Sequence, residues 1–363
     1  MMLAGSRRLV TILGLDTVRA KTLYQAEWLQ AHGLRVRVLT LHRDPGSIAA
    51  HPAAAIEAIP GGALARIRQL VGHLWSERSD IHHVELYVGG RFAFVYALIC
   101  RLMRVPLLAV ERGDLLQCQR RVYGLSARLS IYACYRLADR VWLREPYMLR
   151  AFRRWRVKGR FFLPNAVPIP APPPPASQRD IDLLWVNRLI PERHPGRFAS
   201  AVVAAAAARP LSCEVLGTSA TRSGPRVTEL EAEVVGKLEP VDGCHVRPFA
   251  DPTTLYRRAR FFVLPADVVF GNFSLLEAMS HGAVPIVSDV EGTSELVEDG
   301  RNGLVARHDA AGLREALMTA LELSPEQWSD MSAAARRTIE DRFSIDDWGH
   351  RLSAEYAVLR SGQ

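Results

Sequence analysis

The 363-residue sequence has no Cys-x-x-Cys pair, no internal repeat and no apolar run of the roughly eighteen residues a spanning helix needs. The five cysteines (Cys100, Cys118, Cys134, Cys213 and Cys244) are odd in number and spread through a long chain, which argues against a disulfide framework and for a reduced, cytoplasmic setting. The most apolar stretch, Phe92–Met103, is ended by Arg101 and Arg104 and reads as a buried helix. No signal-peptide pattern opens the chain. Arg7 and Arg8 are followed by a short apolar run to Leu15 that reads as a first strand. No His, Cys or Asp spacing typical of a metal-ligand set occurs, so no metal and no cofactor are expected. His82-His83 is expected near a strand end rather than in a metal site.

Apolar residues make up 48% of the chain, and Gly (25) and Pro (22) are ordinary in number, which fits a globular protein. The length suits two domains of about 150 to 200 residues each. Charge divides the chain. Residues 1–170 carry 26 Lys+Arg against 11 Asp+Glu, a net +15, and the rest carry 20 against 27, a net −7. The basic half points to an anionic partner, and plain surface solvation by arginine is the alternative. The run Val167–Ala176, in which six of the eight residues from Pro168 to Pro175 are prolines, forms neither helix nor ladder and reads as a stiff linker.

Strands read at Arg8–Leu15, Arg35–Leu41, His82–Tyr87, Pro106–Val110, Val141–Leu143 and Phe161–Leu163 before that linker. After it they read at Ile181–Val186, Cys213–Leu216, Cys244–Pro248, Phe261–Leu264 and Pro285–Ser288. Helices alternate with them, among them Val18–His32 and segments near 195–208, 226–238, 252–259, 273–281 and 309–322. Continuous apolar strands alternating with helices imply parallel sheets covered on both faces. The expected architecture is α/β: two Rossmann-like parallel-sheet domains facing each other across a cleft, where open α/β folds bind ligands. The expected boundaries are 1–167, a linker at 168–180, 181–342, and a C-terminal helix at 343–363.

Two segments carry chemistry. Gly271-Asn272-Phe273-Ser274 opens a helix, where unpaired backbone N–H groups favour an anion, and Gly271 allows close backbone approach. Glu277 follows one turn later, where a carboxylate can accept from two ribose hydroxyls. An ordinary capped loop–helix–strand unit is the alternative. Arg188 ends the first strand after the linker, and Arg193 comes five residues on. Two guanidinium groups there can clamp a diphosphate, the alternative being a surface turn with solvated arginines.

In their order, these pieces resemble the family-4 glycosyltransferases of the GT-B fold. Arg188 and Arg193 fall on the two cationic positions of that family's strand-end segment, Pro265-Ala266 on its Pro-Ser, and Glu277-Ala278-Met279 on the second Glu of its Glu-x7-Glu signature. Gly282 and Pro285 follow at the expected distances. Glu291–Val305, with Glu295, looks like the segment that closes the donor site, and Pro164-Asn165-Ala166 resembles the family's Pro-Asn-Gly. Phe343-Ser344 starts a helix that in this family crosses back onto domain one. The sequence departs from the pattern at Val269, where the first Glu of the signature belongs, with Asp267 the nearest substitute. It departs again at Arg112-Gly113, where the family often has His-Gly, and in the first loop, which lacks paired glycines.

The resemblance implies a retaining, metal-independent hexosyltransferase that uses a nucleoside-diphosphate sugar as donor substrate. Arg188, Arg193 and Glu277 would be its catalytic groups; the donor site would add Gly271, Asn272, Phe273, Ser274 and Glu295. Asp16, Arg19 and Arg112 are the acceptor-side candidates. The implied acceptor is a glycan or a lipid-linked sugar in cell-surface polysaccharide or glycolipid assembly. A cytoplasmic enzyme peripheral to the anionic inner face of the membrane would use the arginines at 120–121 and 150–160, with Phe152 and Trp155 beside them. Nucleic acid is not an expected partner. Val269 and Arg112 keep open a non-catalytic GT-B partner subunit, and a nucleotide-sugar epimerase on the same fold is the other alternative.

Overall fold

A computed structural model describes residues 8–361 except 16, 17, 19, 41–47, 49, 60, 112, 113, 120, 155, 156, 158, 219–224 and 249. The chain forms two compact units, one of residues 1–164 with 345–363, the other of residues 165–344.

The first unit is built on seven strands: β1 (Leu9–Leu15), β2 (Arg35–Thr40), β3 (Ala55–Ala58), β4 (Ile81–Tyr87), β5 (Leu107–Val110), β6 (Arg140–Leu143) and β7 (Arg160–Phe162). They pair in parallel in the order β3-β2-β1-β4-β5-β6-β7. The second has β8 (Ile181–Val186), β9 (Cys213–Thr218), β10 (Cys244–Pro248), β11 (Ala259–Leu264), β12 (Val284–Ser288) and β13 (Leu304–Ala306), also parallel, in the order β10-β9-β8-β11-β12-β13. In both sheets the strand order reverses between the first and fourth strands, and crevices that accept ligands form at the carboxyl ends beside such a reversal. Central strands such as β4, β5 and β12 are buried along their whole length; β5 and β12 read accordingly as runs of apolar or small residues, whereas β4 also buries His82, His83 and Glu85.

The C-terminal helix Ile345–Ser361 belongs to the first unit. Gly349 lies against the Trp28 ring, where an added Cβ would come within 2.2 Å of ring carbons. Tyr356 is fully buried and donates to the equally buried Glu85 of β4, while Gln25 donates to both. Burial, with Glu85 beside it, pushes the Tyr356 hydroxyl well above its usual range, so it stays protonated as a donor. His83 sits 3.5 Å from Glu85 and 2.8 Å from His82. Both histidines are buried at the amino end of β4, so their expected place at a ligand-facing strand end is corrected: they anchor the last helix.

Residues 165–180 fold with the second unit. Arg336 donates to the Pro170 carbonyl at 2.9 Å, and the buried Arg179 donates to the carbonyls of Ala259 and His281. Burial lowers the Arg179 pKa to about 10, which still leaves it charged at neutral pH. Phe152 is fully buried, with its ring 4.9 Å from Tyr135, which corrects its expected exposure to a membrane. Trp155, Arg156 and Lys158 lie outside the described residues.

Candidate functional site

The loops after β8 and β11 flank the strand-order reversal of the second sheet, and they carry most of the expected site. The β8 strand ends on a buried Val186. Asn187, the exposed Arg188 and a 3-10 turn over Pro191–Arg193 follow. After β11, Pro265–Gly271 leads into the helix Phe273–Ser280.

The two loops are bonded to each other. Asp267 N donates to Glu192 O at 3.0 Å, Arg193 donates to Val268 O at 2.8 Å, and Asn272 Nδ2 lies 3.3 Å from Asn187 Oδ1. Asn272 is also the N-cap, its side chain accepting from Leu275 N at 3.1 Å. Gly271 takes a positive φ of 70°, and its carbonyl accepts from the buried Asn165 side chain. Asn165, Asn187 and Asn272 therefore fix the backbone that opens the helix. Asn187 Nδ2 is buried with no hydrogen-bond partner, an unmet donor at the end of β8.

Glu277 is half-buried in the second turn of this helix. Its Oε2 accepts from Tyr256 Oη at 3.0 Å. The next turn ends on His281, whose Nδ1 lies 2.8 Å from Glu277 O. Burial, outweighing the bond to the Glu277 carbonyl and joined by nearby arginines, holds His281 below its ordinary range and so neutral. Glu295 is exposed in a 3-10 turn after β12, and its carbonyl accepts from Arg342 at 2.6 Å. Phe273 and Ser274, the first two residues of the helix, are half-buried.

Val269 is fully buried, so the position where the family has a carboxylate is packed rather than open. Asp267 is not a ready substitute, because its Oδ1 is engaged by His194 Nε2 at 2.6 Å and His308 Nε2 at 3.0 Å. Burial works against its charge, but the two histidines outweigh it and hold its carboxyl below the usual range. Asp16, Arg19 and Arg112 lie outside the described residues.

The comparisons agree with this geometry. The family described as Glycosyl transferase 4-like domain matches residues 17–166, and that described as Glycosyl transferases group 1 matches residues 180–322. The chain is a family-4 glycosyltransferase. Its fold is GT-B, as in solved structures it resembles along nearly its whole length. Sucrose-phosphate synthase from Thermosynechococcus elongatus is 18% identical with a TM-score of 0.78, over 98% of this chain and 100% of that one. Anabaena HepE in complex with UDP and glucose is 15% identical with a TM-score of 0.78, over 97% and 100%. The lipopolysaccharide outer core galactosyltransferase WaaB is 11% identical with a TM-score of 0.65, over 96% and 98%. At these identities the likeness is one of fold. No curated protein matches the chain.

Sequence reasoning missed Asn187 and Tyr256. Asn187 adjoins Arg188, but only the structure shows its amide facing that of Asn272. Tyr256 is a buried residue of the short helix Thr253–Arg258 with no motif around it.

Proposed function

We propose that this glycosyltransferase moves a sugar from a nucleoside-diphosphate donor to a glycan or lipid-linked acceptor in cell-surface polysaccharide or glycolipid assembly, with retention at the anomeric carbon. The observation that carries the donor assignment is the bonded pair of loops at the β8/β11 reversal. Arg193 is bonded to Val268 O of the loop that leads into the helix Phe273–Ser280, and Asn187, the neighbour of Arg188, meets the N-cap Asn272 while its own side-chain Nδ2 is unmet. Those groups are all donors or positive ends, which suits a diphosphate. In the transfer, the bond from the anomeric carbon to the β-phosphate oxygen breaks, and the acceptor hydroxyl oxygen bonds to that carbon. The hydroxyl proton goes to the departing diphosphate. Fixed positive groups stabilise charge growing on the leaving group without reorganising. Glu277, oriented by Tyr256, holds the ribose. Glu295 belongs to the segment that covers the donor. Retention rests on the family resemblance.

The basic first unit supports work at an anionic membrane face. On the helix Ala63–Ser76, Leu64 (83% exposed), Arg68, Val71 and Trp75 (63% exposed) recur at spacings of four, three and four, and Arg78 lies over the Trp75 ring at 4.6 Å. An apolar stripe with arginines suits an interfacial helix on anionic lipid. No described helix is long and apolar enough to cross a membrane. The donor test is a thermal-shift panel of nucleotide sugars, UDP-sugars first, followed by transfer from the radiolabelled hit. A tight donor raises the melting point by mass action. A panel with no shift, and no release of labelled sugar from any donor, removes the donor assignment.

A further inference from the structure

Three loops at the carboxyl ends of β8, β11 and β13 each deliver one side chain with a metal-ligating atom to the same point. They are His194, Asp267 and His308, and their ligand atoms all lie within 4.8 Å of one another. Both imidazoles present Nε2 to one carboxylate oxygen, and the two rings meet edge-on with centroids 4.9 Å apart. The residues are 73 and 41 positions apart in sequence, so no local spacing announces them.

Each is fixed from behind by bonds that have no part in the cluster. His194 holds a left-handed φ of 51° between the 3-10 turn and the helix Pro195–Ala208. Asp267 is pinned by its own N–H to Glu192 O and by Arg193 on the next residue's carbonyl. The His308 backbone carbonyl accepts from Arg197 at 3.1 Å, and the neighbouring Asp309 caps the following helix through Gly312 N. A site whose donors are held by the scaffold loses little entropy on binding. The Asp267 side chain is 48% exposed, which leaves room for water to complete a coordination sphere.

We infer that His194, Asp267 and His308 bind a divalent transition-metal ion of the zinc type, which ties the three loops together. Two imidazoles and one carboxylate suit zinc, whereas magnesium and calcium prefer all-oxygen sets. Tetrahedral zinc with ligand bonds of about 2.0–2.2 Å sets neighbouring ligand atoms about 3.3 Å apart. The present nitrogen–oxygen distances of 2.6 and 3.0 Å therefore open by less than about 1 Å each. His308 Nδ1 is buried and has no acceptor behind it, and such outer support is worth roughly 10- to 100-fold in affinity. The site is accordingly expected to fill at micromolar rather than much lower free zinc. The ion is assigned no step in sugar transfer.

The test is metal stoichiometry on the untagged full chain, stripped with chelator and dialysed against micromolar Zn2+. One bound equivalent and a raised melting temperature are expected, with no effect from Mg2+. Asp267→Asn and His308→Ala should each lose the equivalent and the thermal shift, while His245→Ala, at an exposed site elsewhere, keeps both. If His308→Ala folds poorly by circular dichroism, His194→Asn serves instead, since Asn tolerates a left-handed φ. The inference fails if no stoichiometric zinc binds, or if a bound equivalent survives in Asp267→Asn and His308→Ala. Because the readout is bound metal, it stands or falls separately from the donor assignment.

Discussion

Replacing Glu277 by Gln is the sharpest probe of the donor site. The wild-type carboxylate accepts from Tyr256 at 3.0 Å through one oxygen, and in the proposed donor complex it also accepts from two ribose hydroxyls. Hydrogen bonds to a charged group contribute about 1.5–3 kcal/mol each, and the low end applies to this half-buried side chain. Two such bonds give about 3 kcal/mol, and the amide retains one neutral bond worth about 1 kcal/mol. The expected loss is about 2 kcal/mol, or roughly 30-fold in Kd. Tyr256→Phe removes only the positioning bond and should cost about 1 kcal/mol, roughly 5-fold. The assay is titration calorimetry with the nucleoside diphosphate chosen by the thermal-shift panel, run beside its 2′-deoxy analogue. In the wild type the deoxy analogue binds more weakly, and in Glu277→Gln most of that gap closes. Equal penalties for the deoxy analogue in wild type and Glu277→Gln would refute the ribose role even if the mutant binds less tightly overall.

Arg188→Ala and Arg193→Ala should each weaken nucleoside-diphosphate binding by about 1–3 kcal/mol, and unchanged affinity in both removes them from the site. On anionic vesicles at low salt the protein should co-sediment and release at high salt, while Leu64→Ser with Trp75→Ser abolishes binding; sedimentation with neither vesicle type, or no effect of the double change, ends the membrane reading. Gly349→Ala forces a methyl into the Trp28 ring and should cost about 1–3 kcal/mol of overpacking, seen as a lower urea midpoint, and an unchanged midpoint would show that the last helix docks elsewhere.

Most of the fold was legible because buried parallel strands leave unbroken apolar runs. β8 and β10 fall where the pattern puts them, and the other expected strands differ by a residue or two at their ends. The two strands that went unread, β3 and β13, are the outermost strands on one side of their sheets, and each spans at most four residues. Ala55–Ala58 is exposed or half-buried throughout, so it carries no apolar run. The helix Pro325–Arg342 also escaped, although Ser324 and Gln327 form a capping box at its start. Among the candidate site residues, Arg188, Arg193 and Asn272 were readable from their places after a strand or at a helix start, and Glu277 from its place one turn into the same helix. Tyr256 and the His194–Asp267–His308 cluster were not, since they are assembled only when separate loops fold onto one sheet edge.

The buried Val269 separates binding from chemistry in this site. Of the groups proposed for the diphosphate and ribose, Arg193, Asn272 and Glu277 are each bonded to a neighbour, whereas the position that in the family brings a carboxylate toward the sugar is apolar and packed. A Glu at 269 would have to leave that packed environment or lose its charge, because an unpaired buried carboxylate is strongly disfavoured. The proposed donor site thus assigns donor affinity and sugar selection to different parts of the molecule. On the proposed reading the diphosphate and ribose are held by the loops after β8 and β11 and by the helix Phe273–Ser280, an arrangement that holds the nucleotide end without fixing which sugar it carries. Contacts to the sugar hydroxyls must then come from groups other than residue 269, with backbone near Gly271 and the turn holding Glu295 the nearest assigned candidates.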